Sequence, residues 1–306
     1  MLVNLNEILP KAREKHYAVG AFNTSNLEIT QAIIQAAQNL KSPVIIATSE
    51  KAIKYAGIKN LSRIVTNLAR KAKIPVVFHL DHGSSLEIVK ECIKNKYTSV
   101  MIDASHLPVK DNLSITKEVV RYAHKWGVSV EAEIGRLMGI EDNIKVELGE
   151  GIYTDPVQAK IFALEAGCDA LAVAIGTSHG AYKFKGKPKL RMDILDEIFQ
   201  QIKLPLVLHG ASGITAKWVS RINKFGGKLE HTQGVPDNLL KSAIQHGMSK
   251  INTDTDLRIA FTAGLREYLA KNPGAFDPRK IIGYAREMVT TVVEERIKVF
   301  GSKNKA

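Results

Sequence analysis

The sequence predicts a single-domain α/β protein built as a closed (β/α)8 TIM barrel with long loops at the C-terminal ends of its strands, and three observations carry that prediction. Short apolar, β-branched runs alternate with longer amphipathic stretches eight times over 306 residues, the length such a barrel needs. Proline stands just before several of the short runs and glycine just after several of the long ones, as strand starts and helix stops require. Each predicted strand also leads into polar residues, and barrel enzymes build their sites from those ends. An open, doubly wound sheet would not bring all eight ends together.

The elements follow in order. The first strand, Ala18–Phe22, leads to Asn23 and to a helix over Leu27–Asn39 whose apolar stripe is Leu27, Ile29, Ile33, Ile34 and Ala37. Lys41-Ser42-Pro43 introduces the second, Val44–Thr48, which reaches Ser49 before a helix over Leu61–Lys71. Ile74-Pro75 introduces the third, Val76–Leu80, ending on Asp81-His82 before Leu86–Lys94. The fourth, Ser99–Ile102, ends on Asp103, and its helix over Ile115–Trp126 stops at Gly127. Strand five, Val128–Ile134, carries Glu133, then a long loop, Gly135–Asp155, and a helix over Pro156–Glu165 stopped by Gly167. Strand six, Ala170–Ile175, leads to His179, a loop at Gly180–Leu190 and a helix over Met192–Gln201. Leu204-Pro205 introduces strand seven, Leu206–Leu208, which reaches His209 and a long loop over Gly213–Pro236. Strand eight, Met248–Ile251, follows Gly247 and offers Asn252 and Asp254; a helix over Ile281–Phe300 closes the chain.

Composition narrows the function. Hydrophobic residues at 45% and charged ones at 24% match ordinary globular chains and argue against disorder. The net charge of +12, from 43 Lys plus Arg against 31 Asp plus Glu, is spread along the chain, which suits a solvated surface and phosphate-bearing ligands better than nucleic acid. Cys92 and Cys168 form no CxxC pair and read as buried thiols in a reducing, cytoplasmic setting. Met1 to Lys15 alternates apolar with polar residues, unlike a signal peptide, and no run approaches the ~18 apolar residues of a membrane span.

Three histidines at strand ends, His82, His179 and His209, each stand beside a glycine, Gly83, Gly180 and Gly210. Three convergent imidazoles with a position left open are a catalytic zinc arrangement, in which the metal acts as a Lewis acid. Asp81, adjacent to the first histidine, serves either as acid/base or as a carboxylate orienting a ligand. Glu133 and Asp103 read equally as orienting carboxylates or alternative ligands, because bare carboxylates at strand ends would be costly to bury. Gly210-Ala211-Ser212-Gly213 and Asn252-Thr253-Asp254-Thr255 offer backbone N–H groups and side-chain donors to anions, with Lys183 and Arg258 as charged helpers. Two anion sites around one metal point to a bisphosphate.

Over nearly its whole length the chain resembles the class II, metal-dependent fructose-1,6-bisphosphate aldolases. The residues that carry the resemblance are Gly20-Ala21-Phe22-Asn23, Leu80-Asp81-His82-Gly83, Met101-Ile102-Asp103-Ala104-Ser105, Glu131-Ala132-Glu133-Ile134-Gly135, Gly176-Thr177-Ser178-His179-Gly180, Leu208-His209-Gly210-Ala211-Ser212 and Asn252-Thr253-Asp254-Thr255-Asp256-Leu257-Arg258. The resemblance implies Zn2+ on His82, His179 and His209, bordered by Glu133 and Asp103, with Asp81 handling the C4 hydroxyl proton and Glu141 moving the second proton. It implies substrate contacts from Asn23, Ser49 near C1, Asn252 and Asp254. It also implies one phosphate on Gly180, Gly210, Ser212 and Lys183 with K+ or Na+ nearby. The resemblance further implies that Arg258 reaches into a neighbouring subunit's site to meet the other phosphate, in a homodimer or homotetramer. The stretch Gly213–Pro236 matches the family poorly. A Schiff-base aldolase would need a lysine at a strand end, and none is found; a metal hydrolase of this architecture would place His-x-His on strand one, which offers Asn23 instead. Tagatose-1,6-bisphosphate aldolase, of similar fold and metal site, is the alternative.

Overall fold

The computed structural model describes residues 1–136, 138–141, 144–146, 153–179, 189–230 and 232–306, with backbone alone described for 138–141, 144–146 and 179. After a 3-10 turn at Leu5–Glu7, the elements run α1 Leu9–Glu14, β1 Val19–Asn23, α2 Leu27–Asn39, β2 Val44–Ser49, α3 Glu50–Ala56, α4 Ile58–Lys71, β3 Val76–Gly83, α5 Leu86–Lys94, β4 Ser99–Ile102, α6 Val109–His124 and β5 Ser129–Ile134. There follow β6 Met138–Glu141, β7 Ile144–Val146, α7 Pro156–Ala166, β8 Ala170–Val173, β9 Ser178–His179, α8 Met192–Gln201, β10 Leu206–Leu208, α9 Ala216–Lys224, α10 Asp237–Gln245, β11 Met248–Thr253, α11 Thr255–Lys271 and α12 Pro278–Phe300. Local chemistry starts many of these helices: Asn26, Ser49, Ser85, Asp155 and Asp277 each accept a hydrogen bond from a backbone N–H of the first turn.

Eight strands close a barrel in the order β1-β11-β10-β8-β5-β4-β3-β2, with parallel pairing throughout. All eight predicted strands are present, with ends shifted by a few residues at most. Alternation along each strand sorts side chains into two cores. Phe22, Ile46, Phe78, Leu80, Val100, Val130 and Ile251 face the helices. Val19, Ala21, Ile45, Val77, Ala172 and Val207 fill the barrel's interior at one end, where Leu5, Ile8, Leu9 and Ala12 plug it. Above this apolar layer the inward positions become His79, Glu131 and Lys250, and above those Asn23, Ser49, Asp81, Asp103, Glu133, His209 and Asn252, all buried. The polar mouth therefore follows from the same parity that builds the core.

Two of the long loops contain structure. Within Gly135–Asp155, β6 and β7 form an antiparallel pair, and β6 runs parallel to β9, setting Met138 opposite Ser178 and Gly139 opposite His179. The stretch Gly213–Pro236, expected as loop, carries α9, whose Trp218 and Ile222 are buried. Among the described residues no helix is long and apolar enough to cross a membrane.

Candidate active site

Alternation would point His82 away from the barrel interior, because Asp81 before it points inward. The chain corrects this locally. Between Leu80 and Gly83 the register with β4 shifts, and His82 adopts a left-handed backbone conformation, φ 49°. Such a conformation is strained for a side chain of this size and persists where surrounding structure enforces it. Here Asp103 does so: its Oδ2 lies 2.7 Å from His82 Nδ1, while its Oδ1 accepts from the Ser105 backbone N–H and hydroxyl at 3.1 and 2.7 Å. His209, at the end of β10, is held from another carboxylate, Glu131 Oε1, 2.8 Å from Nε2. The two rings stand edge-on, centroids 4.5 Å apart at 70°.

Asp81 lies between them. Asn23 Nδ2 donates to its Oδ2 and Asn252 Nδ2 to its Oδ1, both at 2.8 Å, and His209 Nδ1 is 4.0 Å from Oδ1. Burial works to raise the pKa of Asp81, but the imidazoles of His82 and His209, Lys250 and the Asn23 hydrogen bond together pull it below the ordinary aspartate range. It is therefore a carboxylate near neutral pH. Burial, His82 and Lys250 push His209 well below the usual imidazole range, leaving it neutral. Against the pull of burial, Asp103, Asp81 and Glu133 raise His82 to about 10, so this pocket favours a positive charge at that ring. Burial and the neighbouring Asp103 carry Glu133 well above the glutamate range.

A divalent cation fits this donor set. Asp81, His82 and His209 each offer a ligand atom within 4.8 Å of the others, and so do His82, Asp103 and Glu133. Glu133 Oε2 is buried with no hydrogen-bond partner among the described residues. Both imidazoles have one nitrogen on a carboxylate, the arrangement that fixes the tautomer of a metal-ligating histidine. Four buried carboxyl groups, Asp81, Asp103, Glu131 and Glu133, crowd one buried ammonium, Lys250, and the ring of His82 among the described residues of this region. Together they favour a proton on both His82 and Glu133, which marks the mouth as a place for a cation.

The anion-binding candidates gather at the ends of β10 and β11. Gly210, φ 61°, passes so close to Ser178 that a Cβ would sit 2.7 Å from its carbonyl oxygen, which brings this turn beside the end of β9. Ser212 Oγ accepts from Asp254 N at 3.2 Å. Asp256 takes the backbone N–H groups of Gly213 and Ile214 at 2.8 and 2.6 Å, fixing the turn at Ile214, φ 44°. Thr253 is buried and Thr255 opens α11. Exposed Arg258 donates from Nε to Asp254 Oδ1 at 2.9 Å. Ser49 is buried and its hydroxyl caps α3.

His82, His209, Asp81, Asp103, Glu133, Asn23 and Asn252 thus meet at one mouth. The side chains of His179 and Glu141, and all of Gly180 and Lys183, lie outside the described residues; the backbones of His179 and Glu141 belong to the paired β9 and β6. Sequence reasoning gave no role to His79, Glu131, Lys250, Ser105 or Asp256. A signal existed for two of them: Glu131 and Lys250 interrupt apolar strands at inward positions, where a charge must find a partner.

The family model described as fructose-bisphosphate aldolase class-II matches residues 3–305. The chain is 52% identical to a fructose-bisphosphate aldolase of Thermus caldophilus and 48% identical to one of Helicobacter pylori, each over 306 residues and the full length of both chains. The YdjI aldolase of Escherichia coli K12, a crystal structure, superposes with a TM-score of 0.83 at 33% identity, both chains covered completely.

Proposed function

The chain belongs to the class-II fructose-bisphosphate aldolase family, and on that premise we propose that it cleaves fructose 1,6-bisphosphate reversibly into dihydroxyacetone phosphate and glyceraldehyde 3-phosphate, a lyase step of glycolysis and gluconeogenesis. The observation that carries the chemistry is the Asp81 carboxylate, gripped on each oxygen by an asparagine amide at 2.8 Å beside two imidazoles.

In this reading His82, His179 and His209 hold Zn2+, with Asp103 and Glu133 bordering it. When bound, the ion supplies a Lewis acid for the C2 carbonyl and for the negative charge that develops next to it. Asp81 accepts the proton of the C4 hydroxyl. The O–H electron pair becomes the new aldehyde C=O, the C3–C4 bond breaks, and its electron pair passes to C3. Glu141 returns a proton to C3, which completes dihydroxyacetone phosphate. Asn23 and Asn252 orient the base, and Asp254 and Ser49 contact the sugar. Gly180, Lys183, Gly210 and Ser212 take one phosphate, with K+ or Na+ alongside. Thr253 and Thr255 supply further donors, and Arg258 meets the second phosphate in the site of a neighbouring copy, so the working form is a homodimer or homotetramer. Two free thiols, both buried, accord with a cytoplasmic enzyme.

The test is a cleavage assay on both hexose bisphosphates. A chelator abolishes turnover, Zn2+ restores it, and fructose 1,6-bisphosphate is cleaved in preference to tagatose 1,6-bisphosphate. Full activity in metal-free protein, or preference for the tagatose epimer, contradicts the reading.

A further inference from the structure

We propose that Lys250 and Glu131, buried beneath the mouth, are positioning residues that set His209 for cation binding through the far nitrogen of its ring. The inference rests on the reading of His209 as a metal ligand.

Lys250 stands on β11 and Glu131 on β5, separated in the barrel order by β10 and β8, so their contact spans the interior. Both are 0% exposed. Lys250 Nζ lies 2.8 Å from Glu131 Oε2 and donates to Oε1 at 3.0 Å, while the same Oε1 lies 2.8 Å from His209 Nε2. One oxygen thus serves ammonium and imidazole together. The other side of the carboxylate is closed by His79, whose Nε2 is 3.8 Å from Oε2 and whose Nδ1 is fixed on Ser99 Oγ at 2.8 Å.

The placement argues for more than a tie across the barrel. A buried ion pair contributes little net stability over an apolar filling of the same space. This one ends on a ring nitrogen at the mouth. An acceptor on Nε2 puts the hydrogen there and leaves Nδ1, the nitrogen facing Asp81, as the one with a lone pair to donate. The ammonium holds the carboxylate plane, the carboxylate holds the ring, and the ring angle determines where a cation can sit. Partners of this kind are worth about 10- to 100-fold in metal affinity.

The experiment measures Zn2+ affinity by chelator competition and the visible spectrum of the Co2+-loaded protein. It compares wild type, His209→Ala, Lys250→Met, and Lys250→Met combined with Glu131→Gln, which removes both charges and keeps the interior neutral should the single variant fail to fold. Affinity about 10- to 100-fold weaker and an altered Co2+ spectrum in a folded Lys250 variant are expected. Wild-type affinity and spectrum there overturn the proposal. So does failure of both variants to fold, which would make the pair a prop of the barrel instead. His209→Ala separates the two readings: wild-type affinity in that variant refutes the histidine ligand itself, whereas its loss alongside intact Lys250 variants refutes the positioning role alone.

Discussion

Asp81 owes its chemistry to groups that lie far away in sequence. Asn23, 58 residues before it, and Asn252, 171 residues after it, leave neither carboxylate oxygen to rotate. Asp81→Asn keeps the side chain's shape but removes the base. Turnover should fall by roughly 10²–10⁴-fold, the range for a positioned acid/base, while Zn2+ content measured after dialysis stays at one per chain. Turnover within a few-fold of wild type would reduce Asp81 to an orienting group. The residue itself was legible, since it precedes a strand-end histidine. Its two asparagines were legible as strand-end residues and substrate contacts but not as its partners, because the closed barrel, not the local sequence, turns them toward a carboxylate. The strained backbone at His82 was not legible at all: it answers to Asp103 on the next strand.

At the level of elements, periodicity found the eight barrel strands and seven helices with a clear apolar face, but missed α1, α3, α10 and the 17-residue α11, whose buried face mixes Leu257, Ile259 and Ala260 with Asp256, Gly264 and Glu267. It failed at α9, nine residues flanked by glycines, because so short a helix is marginal alone and is held by tertiary contacts. Trp218 Nε1 donates to Glu295 on α12, and Arg221 Nε to Glu267 on α11 at 2.5 Å. Glu267 also accepts from Lys271 at 2.6 Å, so one carboxylate joins α9 to α11. Burial would raise the pKa of Glu267, but Arg221 and Lys271 outweigh it and hold it below the usual glutamate range. A depressed folded pKa contributes stability that is complete above the unfolded value, about 4.3, and is lost as pH falls through the folded one. Wild type should therefore lose melting temperature more steeply than Glu267→Gln between about pH 5 and 3, as calorimetry at stepped pH would record. Parallel curves would show the carboxylate to be idle. The β6–β9 pairing was invisible for a different reason: its strands join two separate loops, and no local pattern announces so distant a partner.

The whole molecule divides by height along the barrel axis. An N-terminal plug and small apolar side chains seal one end, an ion pair crosses the middle, and carboxylates, imidazoles and anion-binding turns crowd the other. Eight strands in sequence, each ending in a polar residue, were enough to foresee the closed barrel and the polar mouth, because parity carries every second side chain inward. The depth between mouth and plug was not foreseen, since charges within apolar runs name no partner until the strand order is known. Three imidazoles meeting one ion are the centre of the proposed chemistry. Diffraction from Zn2+-soaked crystals, with anomalous data at the zinc edge, tests it most directly. A single zinc peak bonded to nitrogens of residues 82, 179 and 209 at about 2.0–2.1 Å is the predicted result. Zinc bound elsewhere, or the ring of His179 turned away from the other two, would contradict it.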